Sequence, residues 1–266
     1  SGTFVKDGVV THASGLDFIG AEFDLRLTAI VAGQEVVQYV TIRINDIEQS
    51  AEQDDVYLYN LAYSEKGTNS WRPYCGDSQV AAVPLQNYWD TATGDRIDDS
   101  KVVTFGCTNA VLAKCALWGY RPWASETKCT GKGKKKKCVQ VPLTDHHQAC
   151  TRMARADYCG SGESKTEEGT QIDLYDRLGI NSPTQSLSLL FEAAWTPQGA
   201  YCLSRERWLS LANILTGSCK AQFELLPQPS PMNAADLCLV HRIGAAPSEV
   251  LLSDRAGINL NLNLNL

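Results

Sequence analysis

Hydrophobic and polar residues alternate in the first quarter of the chain. "FDLRLTAIVAGQEVVQYVTIRI", Phe23 to Ile44, reads as two strands joined by a turn at Ala32-Gly33-Gln34, the pattern of a hairpin. "DDVYLYNLAYS" adds an aromatic-rich strand, and the acidic "EQSAEQDD" between them is expected to be a surface loop. The period changes after residue 70. "KVVTFGC" reads as a strand running into a helix, "TNAVLAKCALW", that stops at Gly119. "TDHHQACTRMARADYCG" predicts a second helix, with Thr144 or Asp145 as cap, Gln148 three residues after Asp145, and Gly160 at its end. "TQIDLYDRLGI" also carries helix signals, with Thr170 as N-cap, Asp173 three residues on and Gly179 as terminator. "FEAAWTPQGAYC" predicts a hairpin turning at Pro197 and Gly199. "SRERWLSLANILTG" predicts a further helix with Trp208, Leu211, Ala212 and Leu215 on one face.

These elements show no βαβ rhythm, so the expected class is α+β, a β-rich N-terminal part followed by a disulfide-stapled region of short strands and short helices. The boundaries read from composition are residues 1–66, 67–245 and 246–266. The last segment closes on "INLNLNLNL". Ile258, Leu260, Leu262, Leu264 and Leu266 alternate with four asparagines, with no charge and no proline. Such a strand needs a partner. It would close the protein's own sheet or add to a neighbouring copy, giving a homo-oligomer or filament.

Cysteine changes the picture most. Ten are present, Cys75, Cys107, Cys115, Cys129, Cys138, Cys150, Cys159, Cys202, Cys219 and Cys238, and no CxxC pair occurs. An even count without metal-ligand spacing points to disulfides in an oxidising compartment, extracellular, periplasmic or at the cell surface. No metal and no cofactor is expected. Cys129 and Cys138 flank "TGKGKKKK" and are expected to bond each other, closing a loop that carries Lys132 and Lys134, Lys135, Lys136 and Lys137. Were the second helix to run to residue 159, Cys150 and Cys159 would lie roughly 13 Å apart on opposite faces. Each would then need another partner, with Cys107, Cys115 and Cys202 the natural candidates.

Net charge is −6 over 266 residues with 44% hydrophobic content, so a sizeable core is expected and specific nucleic-acid binding is not. No stretch is long and apolar enough for a transmembrane helix. The lysine loop remains a candidate contact for an anionic surface or glycan. Catalytic signatures such as GxSxG, HExxH or a P-loop are absent. His146 and His147 are adjacent and diverge by about 100° on a helix, so they cannot share a metal. Either could act with a distant carboxylate. Asp157 is the odd residue, because a carboxylate in the last turn of a helix opposes the macrodipole. Arg121, Arg152 and Arg155 are its candidate partners. Two segments, Trp71-Arg72-Pro73-Tyr74 and Tyr120-Arg121-Pro122-Trp123, echo each other and suggest arginine stacked on aromatic rings.

The stretch "HQACTRMARADYCGSG" resembles the bacterial ADYC-domain family through Ala156-Asp157-Tyr158-Cys159. "FGCTNAVLAKCALWGYRPW", "GTQIDLYDRLGI" and "FEAAWTPQGAYC" are similar to further family segments, so that the resemblance covers roughly residues 70–220. It implies a secreted or envelope-associated cysteine-rich domain, in which the lysine loop looks like an insertion. The leading expectation is a disulfide-stapled structural or binding module, self-assembling through its C-terminal strand. The alternatives are a secreted hydrolase using His146 or His147 with Asp157, and a binder of anionic surfaces.

Overall fold

The structure is a computed structural model and describes residues 2–6, 9–13, 15–31, 34–90, 92–184, 189–204, 206–207, 224–225 and 251–256. The strands in chain order are β1 (Gly2–Lys6), β2 (Val9–Ala13), β3 (Glu22–Val31), β4 (Gln34–Gln49), β5 (Tyr57–Glu65), β6 (Arg72–Pro73), β7 (Ala82–Gln86), β8 (Tyr88–Trp89), β9 (Arg96–Ile97), β10 (Val103–Cys107), β11 (Ser125–Thr130), β12 (Lys137–Pro142), β13 (Ile172–Asp176), β14 (Leu189–Thr196), β15 (Gly199–Leu203), β16 (Glu224–Leu225) and β17 (Leu251–Ala256). The α-helices are α1 (Val111–Leu117) and α2 (Thr144–Arg155). The class is α+β and strand-rich, as the sequence pattern indicates. Among the described residues no helix is long and apolar enough to cross a membrane.

The chain divides into two compact units, Ser1–Leu85 with Val103–Leu117, and Gln86–Val102 with Trp118–Leu266. This division interleaves the chain and differs from the sequence boundaries at 66/67 and 245/246. β17 (Leu251–Ala256), in the segment that begins at residue 246, lies inside a sheet.

In the first unit the sheet runs β10-β7-β5-β4-β3, with β6 beside β5. The β3–β4 hairpin pairs Val31 with Gln34 across its turn. Its core is aliphatic: Val40, Ile42, Ile44, Ile47, Leu61 and Ala82 are buried. The spacing changes from two to three between Ile44 and Ile47 because the β4–β5 register shifts there. A bulge of this kind places one extra residue on the strand and resets which positions face inward. Asn45, the extra residue, is exposed. A disulfide between Cys75 and Cys107 ties the loop after β6 to the end of β10. The guanidinium of Arg43 lies 3.7 Å over the Trp71 ring, so the arginine on that aromatic comes from β4 rather than from the neighbouring Arg72.

In the second unit a five-stranded sheet runs β13-β17-β14-β15-β16, and α2 packs on β14, β15 and β17. The segment "TQIDLYDRLGI" is a strand, not the helix its capping signals suggest. Asp176 takes over the local hydrogen bonding, accepting from the backbone N–H groups of Leu178, Gly179, Ile180 and Asn181. An aspartate that satisfies several successive amides stabilises a turn in competition with a helix. The β14–β15 hairpin turns at Pro197-Gln198, between Thr196 and Gly199. β11 and β12 form a separate two-stranded hairpin. The helix expected over residues 204–217, Cys219, Cys238 and the repeat from Ile258 to Leu266 lie outside the described residues, apart from Ser204, Glu206 and Arg207.

Candidate functional site

Helix α2 begins without a side-chain cap. Thr144 instead donates its hydroxyl to the Pro122 carbonyl at 3.1 Å. Gln148 reaches a loop rather than its own helix end: its amide donates to Gly94 O at 2.9 Å and its oxygen accepts from the Arg96 N–H at 3.1 Å. The helix stops at Arg155, four residues before Cys159. Ala156 follows in the left-handed conformation at φ 51°, with the Ala156 N–H donating to Met153 O and the Asp157 N–H to Arg152 O. This is a Schellman-type ending, which satisfies the last carbonyls. Two corrections follow. Gly160 is not the helix terminator, and Asp157 does not sit in the last turn. Because the helix ends at Arg155, the face argument for Cys150 and Cys159 no longer applies. Gly160 is needed for another reason. It has φ 65°, and a Cβ there would collide with the Gln198 carbonyl oxygen.

Asp157 lies just past the helix end and is 1% exposed. Its carboxylate accepts from Arg152 Nη1 at 2.7 Å, from the Ser161 N–H at 3.0 Å and from the Gly162 N–H at 2.9 Å. Arg152, equally buried, also donates to the carbonyls of Thr93 (2.7 Å) and Pro197 (3.0 Å) and to the Asp95 carboxylate. The charge is therefore compensated by an arginine and two backbone amides, the combination that makes a buried carboxylate tolerable.

Tyr158, the next residue, enters a second buried network. Its hydroxyl donates to Glu192 Oε1 at 2.8 Å and accepts from the Arg207 N–H at 2.6 Å. Arg207 makes a forked pair with Glu192, Nε to Oε1 at 3.1 Å and Nη2 to Oε2 at 3.0 Å. Ser253 donates to Glu192 Oε2 at 3.0 Å and accepts from the Trp195 indole at 2.9 Å. The Tyr158 ring stacks on Trp195 with centroids 5.0 Å apart. Burial, then the Glu192 charge, hold the Tyr158 phenol well above its ordinary value of 10.0, so it remains a proton donor. Tyr120 is raised likewise, by burial and then by Asp176, to which it donates at 2.9 Å.

His146 and His147 are both fully buried. His146 stacks on Tyr120 and His147 meets Trp89 edge to face. Neither histidine is among the hydrogen-bond partners of Asp157. An open cavity of about 270 Å³ in the first unit is lined by Asp46, Glu48, Asn60 and Gln79, with none of these three residues in its wall. Among the described residues no group of His, Cys, Asp and Glu could hold a metal ion.

All the described cysteines are bonded: Cys75 to Cys107, Cys129 to Cys138, with Cys115, Cys150, Cys159 and Cys202 also in disulfides. Cys129 and Cys138 face each other across the β11–β12 ladder, Cα atoms 4.0 Å apart, one rung below its last pair, Thr130 with Lys137. A short helical turn, Gly133–Lys135, crosses the tip. Lys132 and Lys134 to Lys137 are all exposed.

Glu192, Arg207 and Ser253 form a buried polar cluster against the sheet, and the sequence pattern did not point to them. Only Glu192 left a trace, as a lone charge among Phe191, Ala193, Ala194 and Trp195. Segments that read as separate motifs meet in space. "ADYC" supplies Asp157 and Tyr158, "FEAAW" supplies Glu192 and Trp195, and "WGY" meets "DLYD" through Tyr120 and Asp176. No curated protein and no solved structure matches the chain. A family model described as the ADYC domain matches residues 15–209, starting well before residue 70 and so taking in β3, β4 and β5 as well as α2 and β14. The chain belongs to the ADYC-domain family.

Proposed function

We propose that this chain is a disulfide-stapled binding module of an oxidising compartment, secreted or at the cell envelope, that engages an anionic surface or glycan through the β11–β12 hairpin. The observation that carries the reading is the hairpin tip. Five exposed lysines stand on a loop closed by Cys129–Cys138 in a chain of net charge −6. Like charges so crowded repel, and a disulfide confines that repulsion to a fixed finger instead of letting it unravel the ladder. A preformed cationic tip loses less freedom on binding than a mobile one. The disulfides support the compartment, since such bonds persist where thiols are not kept reduced.

Heparin chromatography and sedimentation with vesicles containing anionic lipid test the reading. Replacing Lys132 and Lys134 to Lys137 with glutamine is expected to weaken retention at least tenfold, with each lysine near an anionic membrane contributing about 1 kcal/mol. Cys129→Ser with Cys138→Ser keeps the charge and is expected to weaken binding less. Retention that survives the glutamine replacements would overturn the proposal.

A further inference from the structure

Cys75–Cys107 and Cys129–Cys138 sit in opposite surroundings. The first joins residues 32 apart in sequence. Both its cysteines are half-buried, and Cys75 packs against the aliphatic cluster of the first unit. The second joins residues 9 apart, in a hairpin that is a two-stranded sheet of its own. Every residue from Cys129 to Gln140 is exposed. Among the described residues no other cysteine is exposed: Cys159 is half-buried, and Cys115, Cys150 and Cys202 are buried. An incoming thiol therefore reaches Cys129–Cys138 without any opening of the fold, and access is one of the factors that sets the rate of thiol–disulfide exchange. The loop it would release is short, so little of the fold's stability rests on the bond.

Charge singles out the same bond. The stretch from Thr127 to Gln140 carries Lys128, Lys132 and Lys134 to Lys137, with no aspartate or glutamate. Lys128 adjoins Cys129, and Lys136 and Lys137 lie within two residues of Cys138. Two residues of backbone span at most about 7 Å, inside the distance over which salt screens a charge. Positive charge at this range acts twice on exchange. It draws in a negatively charged thiolate, and it stabilises the cysteine thiolate that leaves.

We propose that Cys129–Cys138 is a thiol-exchange site that takes a small thiol bearing carboxylates, of the glutathione class. The incoming thiolate attacks one cysteine sulfur, so that a mixed disulfide forms and the Cys129–Cys138 bond breaks. The other cysteine leaves as a thiolate beside the lysines. A second molecule of the small thiol attacks the mixed disulfide at its own partner's sulfur, which releases the remaining cysteine and gives the oxidised dimer of the small thiol. Two electrons pass to the protein, and the protons of the small thiols go to the cysteines or to water. The site is independent of the polyanion binding proposed above, because its assays contain no polyanion.

The full chain in reduced glutathione, with free thiols trapped by alkylation and located by peptide mass spectrometry, tests the assignment. Cys129 and Cys138 are expected to be labelled before any other described cysteine, with circular dichroism unchanged. Replacing Lys132 and Lys134 to Lys137 with glutamine is expected to slow reduction by glutathione about tenfold. Cysteamine, whose thiolate carries a compensating ammonium, should be slowed much less, and added salt should narrow the gap between the two thiols. Labelling of Cys75 and Cys107 as early as Cys129 and Cys138, reduction only with loss of the native circular dichroism, or equal slowing of the two thiols would each overturn the proposal.

Discussion

Ile42 on β4 and Glu192 on β14 are both 0% exposed, and they are held in opposite ways. Ile42 belongs to an aliphatic cluster whose cohesion needs no direction. Glu192 sits among Arg207, Tyr158 and Ser253, where each oxygen has assigned donors. An aliphatic core tolerates approximate fits, whereas a buried polar network is stable only when every member is present. The cluster around Ile42 is thus held by area and the one around Glu192 by stoichiometry. The segments "ADYC" and "FEAAW" supply much of that stoichiometry through Tyr158, Glu192 and Trp195.

The contrast is broken most directly at Arg207. Arg207→Leu leaves Glu192 buried without its counter-charge and is expected to cost about 3–5 kcal/mol in urea unfolding. Adding Glu192→Leu should restore part of that loss, and a double variant as unstable as the single one would show that the network does not act as a pair. Tyr158→Phe removes one donor from Glu192 and is expected to cost about 2 kcal/mol. The same variant has a signature in pH. Tyr158 and Tyr120 have folded values raised above 10.0. Their contribution is fully present below pH 10. Above it, the unfolded chain releases protons that the folded chain keeps, so stability falls as pH rises. Thermal melts between pH 9 and pH 11 should show this fall in the native protein and a shallower one in Tyr158→Phe. Ile42→Val sits at the bottom of the scale, at about 1 kcal/mol. A larger loss there than at Arg207 would reverse the comparison.

How much of this was legible in the sequence follows the same division. Alternation located β3, β4 and β5, because strands with one buried face write a period of two into the chain. It failed at Ile47, where the bulge at Asn45 resets the phase. The capping signals at Thr170 and Asp173 pointed to a helix that is absent. Asp173 caps nothing and instead binds Thr184, eleven residues on, and Asp176 claims the following amides. Asp157 was recognisable as a residue in need of compensation, and Arg152 was among the partners considered. Glu192, Arg207 and Ser253 were out of reach, since they lie 15 and 61 residues apart and nothing local marks them as neighbours.

Arg152 has one further consequence, for the order in which the molecule assembles. Its side chain joins Thr93, Asp95, Asp157 and Pro197, at separations of 59, 57, 5 and 45 residues. Bringing such distant segments together requires closing long loops before any contact can repay the lost entropy. Until the loop at 93–95 and the turn at 197 have both arrived, the guanidinium is better solvated by water than by a half-built site. The contacts around Arg152 are therefore expected to form late on the folding path and to latch a structure already in place. Losing them should speed the opening of the folded unit more than it slows its formation.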